Sequence, residues 1–453
     1  MTGKFDCIVI GAGPGGHAAA DGAARAGKRT AVIEMDGWGG TCTHRGCIPT
    51  KALLACSRRY ADLKKFKRLG ISCSDASFDF GAIRRHQLQM TRISALGVQQ
   101  SLKEAGVVMK EGRGEILSPH EVLWTPSQGA PVALQTENIV IAWGSQPLLL
   151  PGIALSERIV TSDGLLAMDR IPKSILVVGG SVIGVEFATW LAELGSQVTL
   201  IELLDQLLPS EDVEAAALLA QELTRLGVRI LLSTRLETIA DSETGIAVTA
   251  RHGDQVIPLS AEVALICTGR RPRLQFDELE RLGLRFERTG IIVDSRLRTN
   301  IPNIFAVGDV TGGMMLAHRA AHQGRELIRS LYGDGCEPSG DEAVPAVVYS
   351  HPVIARVGPT ERDARKGMSH LEVVRTEYAA QILARTELAG QGFAKALFRG
   401  DRLIGVTIVG DQAGELIATM SLAVACRLDR GALASWVIPH PALSELFASL
   451  CRN

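Results

Sequence analysis

The sequence of 453 residues holds no apolar run long enough to cross a bilayer as a helix, which excludes a helical membrane protein. It has no long basic stretch, and 48 lysines and arginines against 49 aspartates and glutamates leave a formal net charge of -1. So balanced a chain is not expected to bind nucleic acid or a membrane surface. No secretory leader is expected either. Met1 to Asp6 runs directly into a short apolar strand, Cys7 to Ile10, which stops at Gly11 without a cleavage site. No segment is of low complexity. The nine cysteines are odd in number and scattered, so they make no disulfide framework and suit a reducing compartment with one special pair. These absences describe a soluble, intracellular protein, expected in the cytoplasm.

What is present is an ordinary globular composition, 46% apolar and 21% charged, in a chain too long for one hydrophobic core. Two to four domains are expected. Two glycine turns of one plan stand far apart. The first follows an apolar strand, Phe5 to Ile10, and runs through Gly11-Ala12-Gly13-Pro14-Gly15-Gly16 into a small-residue helix, Gly15 to Ala26. A second strand, Arg29 to Ile33, ends at Glu34. Gly11 permits the tight turn, Gly13 lets the backbone approach a pyrophosphate, and Gly16 lets helix and strand pack, with the helix N-terminus facing the anion. Glu34 can accept ribose hydroxyls.

The second turn repeats the order: Ser174 to Val178, Gly179-Gly180-Ser181-Val182-Ile183-Gly184, a helix to Leu194, and Gln197 to Ile201 ending at Glu202. Ser181 stands where the middle glycine belongs; serine is small and keeps its amide. A carboxylate at Glu202 favours a free ribose 2′-hydroxyl and repels a 2′-phosphate, so NAD(H) is expected over NADP(H). A glycine-rich turn without ligand remains the bland reading of either unit alone.

Between the units, roughly Thr50 to Glu104 has helical spacing, Gly112 to Ile141 is a turn-rich β segment, and Pro147 to Pro151 looks like a domain crossing. Ile301 to Asp309 reads as a third apolar strand and Cys336 to Asp341 as a linker. Strands at Ala346 to Tyr349, Ala394 to Phe398 and Leu403 to Val409, with helices at Gly414 to Cys426 and Ala442 to Cys451, suggest a separate α/β domain.

Cys42 and Cys47 lie in Gly39-Gly40-Thr41-Cys42-Thr43-His44-Arg45-Gly46-Cys47-Ile48-Pro49-Thr50-Lys51. A structural disulfide gains little by closing so short a loop, whereas a redox pair can pass electrons while held over a cofactor. In a regular helix, Cα atoms five residues apart lie roughly 8–9 Å from each other. A disulfide needs less than about 7 Å. A bridge therefore requires an irregular turn, and Gly46 supplies that freedom. Zinc held with His44 is a poor rival, since a structural site wants four ligands and no second cluster follows, so no metal is expected. A pair of merely buried cysteines is the other alternative. Disulfide exchange also needs thiolate, hence a base. The segment Pro439-His440-Pro441-Ala442-Leu443-Ser444-Glu445 offers an imidazole between prolines with a carboxylate to orient it, although His318, His322 and His351 have equal claim on bulk grounds.

At these residues the chain resembles the pyridine nucleotide-disulfide oxidoreductases, and among them the dihydrolipoamide dehydrogenases. The likeness runs through Gly11 to Gly16, Gly39 to Lys51, Gly179 to Glu186, Thr268-Gly269-Arg270-Arg271-Pro272, Ala306 to Asp309, Met315 to His318, and His440-Pro441 through Glu445. The resemblance implies an α/β fold: two Rossmann-like dinucleotide-binding domains, for FAD (1–149) and NAD (150–272), a central domain (273–340) returning to FAD, and a C-terminal α+β dimerisation domain (341–453). It implies that Gly11, Gly13, Gly16, Glu34, Gly40, Thr41, Lys51, Gly114, Trp143, Gly144, Ser145, Asp309, Met315, Leu316, Ala317 and His318 bind FAD. For NAD the implied residues are Gly179, Gly180, Ser181, Ile183, Gly184, Glu186, Glu202 and Gly269. Cys47 would lie next to the flavin, Cys42 would exchange with substrate, Lys51 and Glu186 would form an ion pair, and His440 with Glu445 would reach the cysteines of the other subunit of a homodimer.

The expected reaction is oxidation of a dihydrolipoyl group, free or on a carrier protein, with reduction of NAD⁺. Departures from the pattern bear on the substrate: Ile438 before Pro439-His440, Trp143 in place of a small residue, His44-Arg45 between the cysteines, and few residues after Glu445. The alternatives are an NADH-driven reductase of another disulfide or of an electrophilic metal ion, and a flavoprotein acting as a non-catalytic subunit or redox sensor. Both cysteines and the base are present, which argues against the last. Cys451 is read as a helix residue at an interface.

Overall fold

Short strands with almost every residue buried organise the computed structural model of this chain, which describes residues 4–73, 75–333, 335, 340–368 and 370–451. Such strands read as continuous apolar runs because parallel sheets are covered on both faces. The chain divides into two compact units, one made of Met1–Ala52, Arg84–Leu148 and Arg270–Asp341, the other of Leu53–Ile83, Leu149–Gly269 and Glu342–Asn453.

Among the described residues, the first unit is built on a seven-stranded sheet. Phe5–Ile10 runs parallel between Thr30–Glu34 and Val132–Ile141, while Val108–Glu111 and Ile304–Ala306 add parallel edges. Glu121–Thr125 and Arg113–Ser118 continue it as an antiparallel meander. Helix Pro14–Arg25 buries Ala19, Ala20 and Ala23 on one face of the sheet with Val9, Val32 and Val140. On the alternate residues, Ile8, Ile10, Ile33 and Ile139 make the other core with Ile116 and Val122.

In the second unit, Ser174–Val178 lies parallel between Gln197–Ile201 and Val263–Ile266, with helix Val182–Glu193 following the first of them. An antiparallel meander, Thr234–Ser242, Gly245–His252 and Gln255–Ala261, adjoins it. The C-terminal part forms an antiparallel sheet ordered Ala346–Val348, Val353–Val357, Arg402–Gly410, Phe393–Arg399, Glu372–Glu377. Helices Ala413–Ala425 and Glu445–Cys451 bury Ile417, Met420, Leu446, Phe447 and Cys451 against it, so Cys451 is a core residue of this layer.

Several expected elements differ in extent. The stretch read as helical from Thr50 to Glu104 is two helices, Cys47–Phe66 and Phe80–Glu104; a 3-10 turn at Lys67–Leu69 ends in Gly70 at φ 77°, a conformation that stops helices. The expected strand from Ile301 to Asp309 narrows to Ile304–Ala306, because Pro302 brings no N–H and a turn returns the Ile304 amide to the Ile301 carbonyl. The last helix starts at Glu445 rather than Ala442, since the Ala442 amide donates to the Glu445 carboxylate at 2.8 Å. Of the expected linker from Cys336 to Asp341, residues 336–339 lie outside the described residues.

Candidate active site

The first glycine turn is shaped by backbone overlap. Gly11 has φ +105°, and a side chain on Gly16 would run into the Gly11 carbonyl and the Ala142 Cβ. Gly13 differs: its φ of -65° suits any residue, and an added Cβ would meet nothing within 4 Å. The space in front of Gly13 is therefore a cradle at the N-terminus of helix Pro14–Arg25, whose first amides have no partner within the helix. Glu34 is 8% exposed and its carboxylate accepts the amides of Ala12 at 2.6 Å, Asp36 at 2.7 Å and Gly37 at 3.1 Å. A carboxylate has about four acceptor positions, which leaves capacity for a ribose hydroxyl. These residues fit a bound dinucleotide.

The second turn has the same construction. Gly179 has φ +111°, a side chain on Gly184 would strike the Gly179 carbonyl, and the Glu202 carboxylate accepts the amides of Gly180 at 2.6 Å and Leu204 at 2.8 Å. Ser181 occupies the middle position with φ -71°, and its hydroxyl donates to the Cys267 carbonyl at 2.9 Å. Ile183 packs partly buried against the core of this unit, and Gly269 stands in open space at φ +123°.

Cys42 and Cys47 form a disulfide with their Cα atoms 4.7 Å apart. The short helix Gly40–Arg45 ends at Gly46, whose φ of -146° and ψ of -108° break the helical path before Cys47–Phe66 begins. The irregular turn required by the spacing is thus present at the residue expected to provide it. Both cysteines are half-buried. An added Cβ on Gly40, at φ +60°, would come within 2.8 Å of the Gly13 Cα, so the cysteine turn is packed onto the first glycine turn. Lys51 lies one helical turn after Cys47, on the same face.

Asp309 sits in the 3-10 turn Gly308–Thr311 and accepts the Ser145 hydroxyl at 2.6 Å. Ser145 in turn accepts Arg270 Nε at 2.9 Å, and the Arg273 amide donates to the Gly144 carbonyl at 2.9 Å. Helix Ala317–Tyr332 begins directly after Met315 and Leu316 and carries His318 in its first turn. Gly114 lies in the meander strand Arg113–Ser118, where an added Cβ would come within 3.0 Å of Ile10. The bulk of Trp143 is absorbed by the apolar cluster of Ile10, Ile33 and Ile141, while Ala142 packs on the other cluster with Val9 and Val32.

In the second unit Glu186 is buried and accepts the Tyr349 amide at 2.9 Å. Seven residues on, and so on the same helix face, Glu193 accepts Ser57 Oγ and His351 Nδ1, each at 2.5 Å. This buried cluster had no local signal in the sequence beyond His351 itself. His440 is exposed, and its Nδ1 donates to Glu445 Oε2 at 3.0 Å. That hydrogen bond, with one from the Ala442 amide, holds the Glu445 carboxyl below its usual range. Lys51 and the cysteines belong to the first unit, Glu186, His440 and Glu445 to the second. Among the described residues no cluster of His, Cys, Asp and Glu could hold a metal ion, and no helix is long and apolar enough to cross a membrane.

Two dinucleotide-type crossovers, a redox-capable disulfide packed on the first, and an imidazole–carboxylate pair define a two-electron disulfide oxidoreductase. The pyridine nucleotide-disulphide oxidoreductase profile matches residues 5–324, and that family's dimerisation domain matches residues 344–451. The chain belongs to this family and is a flavoprotein disulfide oxidoreductase using FAD and NAD(H). It is 34% identical over 449 residues to a dihydrolipoyl dehydrogenase of Chlorobaculum tepidum, covering 98% of this chain and 96% of that one. A dihydrolipoyl dehydrogenase of Geobacillus stearothermophilus is 32% identical, with 98% and 94% covered. Among solved structures, LpdA from Mycobacterium tuberculosis superposes with a TM-score of 0.92 at 29% identity, covering 98% of this chain and 99% of that one. The Cu(II) complex of the HOCl-induced flavoprotein disulfide reductase RclA from Escherichia coli gives 0.88 at 29% identity, covering 99% of each.

Proposed function

We propose that this protein oxidises a dihydrolipoyl group, free or on a carrier protein, to its disulfide and reduces NAD⁺ to NADH. The observation that carries the reading is the half-buried Cys42–Cys47 disulfide, formed across Gly46 and packed through Gly40 onto the first glycine turn. The dihydrolipoyl dehydrogenases matched over almost the whole chain support the substrate class.

In this reading residues 1–149 and 273–340 hold FAD, 150–272 hold NAD, and 341–453 join two subunits in a cytoplasmic homodimer. When bound, FAD and NAD supply the two-electron relay between the cysteine pair and the nicotinamide. Cys42 engages the substrate sulfur and Cys47 is the thiol on the flavin side. His440, exposed and oriented by Glu445, takes the proton of the attacking dithiol from across the subunit interface. Lys51, one helical turn after Cys47, serves the flavin, and Glu186 is steadied by the Tyr349 amide. Per turnover the dithiol gives up two electrons and two protons, and NAD⁺ takes one hydride and leaves one proton.

The TM-score of 0.88 to RclA, with His44 and Arg45 between the cysteines, favours one second reading: NADH-driven reduction of a different disulfide. Purified protein with NAD⁺ and dihydrolipoamide should yield NADH, and Cys47→Ser should bring turnover to background. Inactivity with both lipoamide and lipoylated carriers, together with NADH-driven turnover of another disulfide, would replace the first reading by the second.

A further inference from the structure

Four residues separate Cys42 from Cys47, and the side chains of Thr43, His44 and Arg45 each have a partner outside the cysteine turn. Thr43 Oγ1 lies 3.2 Å from Ser94 Oγ. His44 Nε2 donates to the Trp38 carbonyl at 3.1 Å, and Arg45 pairs with Asp36 at 2.9 Å. The His44 ring fills the space that a side chain on Gly37 would need, since an added Cβ there would come within 2.8 Å of Nε2. Trp38 is 5% exposed and anchored by its own Nε1, which donates to Glu111 at 3.0 Å. Asp36 also takes Arg273 at 3.0 Å; burial raises its carboxyl, but hydrogen bonds from Arg273 and Arg45 outweigh this and hold it below the usual range. The same loop, through the amides of Asp36 and Gly37, grips Glu34.

We propose that His44 and Arg45 are positioning residues that fasten the cysteine turn to loop 36–38, keeping Cys42 at bonding distance from Cys47 when the disulfide is reduced. The inference rests on the pair being redox-active, as proposed above. Reduction by dithiothreitol breaks the sulfur–sulfur bond: two electrons and two protons make two thiols, and the reagent closes to its cyclic disulfide. Gly46 alone would leave the opened turn free to relax toward helical spacing, in which the thiols separate. With both clamps in place the two sulfurs keep a high effective concentration, which favours the oxidised pair. Thr43, held to Ser94, adds a third fastening on the same segment.

The test is the dithiol–disulfide equilibrium of the FAD-loaded protein in dithiothreitol buffers, read by alkylation and mass spectrometry. The double variant His44→Ala, Arg45→Ala is expected to shift it about tenfold toward the dithiol, equivalent to about 30 mV for two electrons. Arg45→Lys, which keeps a cation for Asp36, restores most of the single Arg45→Ala shift, and Asp36→Asn shifts the equilibrium the same way by a smaller factor. A double variant within twofold of the parent, whatever its melting temperature, overturns the proposal. If that variant does not fold, Asp36→Asn decides in its place, and an unshifted equilibrium there overturns it equally. Failure of the parent to be reduced by NADH would sink the proposed reaction instead, because the thiol equilibrium is measured without NADH.

Discussion

The two glycine crossovers share one backbone and part at the middle position of the motif, glycine in one and serine in the other. Gly13 and Ser181 open their helices with nearly the same dihedrals, φ -65° and -71°, ψ -179° and 176°. In each crossover the acidic strand end takes the amide that precedes this position at 2.6 Å, and the last glycine is pressed on the carbonyl of the first. The outer two glycines are therefore demanded by the chain itself. The middle glycine is not, because a serine adopts the same conformation and turns its hydroxyl back onto the Cys267 carbonyl. What distinguishes Gly13 is its neighbourhood, where Gly40 of the cysteine turn closes over its Cα. Two glycines of one motif thus answer to sterics within the fold, and the third answers to what approaches it.

The largest effect is expected where the crossovers agree. Alanine normally gains up to about 1 kcal/mol over glycine in a helix. At Gly16 or Gly184 its Cβ would overlap a backbone carbonyl that cannot retreat, so each substitution to alanine should instead destabilise by about 2–4 kcal/mol. Thermal unfolding of Gly16→Ala and Gly184→Ala checks this, and stabilisation in either would break the equivalence of the two turns.

A pH scan should separate the units next. Glu34 accepts three backbone amides and Glu202 two, whereas among the described residues the buried Glu278 of the first unit accepts one, that of Ile116 at 2.6 Å. Burial there outweighs that bond and pushes the carboxyl up from 4.5 to about 7. Since the folded-state value is the higher one, the native state binds more protons, and this stabilisation is complete below pH 4.5 and lost as pH rises through 7. The loss amounts to about 3 kcal/mol between these limits. Glu278→Gln, which keeps an acceptor for Ile116, should flatten the fall in melting temperature between pH 5 and pH 8.

The acidic strand ends offer a subtler division. Glu202→Gln keeps an oxygen for one of the two amides, Gly180 or Leu204, which bond different carboxylate oxygens, turns its NH2 on the other, and removes the charge that opposes a 2′-phosphate. The preference for NADH over NADPH should fall about tenfold, or about 1.4 kcal/mol. Glu34→Gln should leave that preference alone and weaken retention of FAD. A change of nucleotide preference in the Glu34 variant would reverse the proposed assignment of cofactors to the turns.

Much of this was legible in the chain because it is local. Phe5–Ile10, Ser174–Val178 and Gln197–Ile201 are bounded as their apolar runs and glycines dictate, and Gly46 breaks the cysteine turn where spacing required it. What escaped a linear reading depends on partners brought together by the fold. Arg45 stood out only as a departure between the cysteines, yet it pairs with Asp36, which also takes Arg273 from 237 residues further along the chain. Ser57 and Glu193 are 136 residues apart and carry no pattern, and the Ser145–Asp309 bond spans 164 residues. Trp143 looked too large for its place because its place could be judged only once the cluster around Ile10 and Ile33 existed.

The smallest expected effect bears most directly on the difference between the crossovers. Ser181→Gly removes one hydroxyl bonded to the Cys267 carbonyl and loosens the unfolded chain. Those changes are worth about 0.5–1 kcal/mol in stability, and NADH affinity should move by less than about threefold. The reciprocal Gly13→Ser has room for its Cβ in the protein alone, so the apoprotein should melt within a degree or two of the parent. Its FAD affinity should nevertheless fall by more than about tenfold, because the added atoms stand in the space left for the approaching pyrophosphate. Calorimetric titration of each apoprotein with its own nucleotide measures the asymmetry. Equal losses in the two variants would mean that the middle position serves the turn rather than the ligand, and that Ser181 is a tolerated defect.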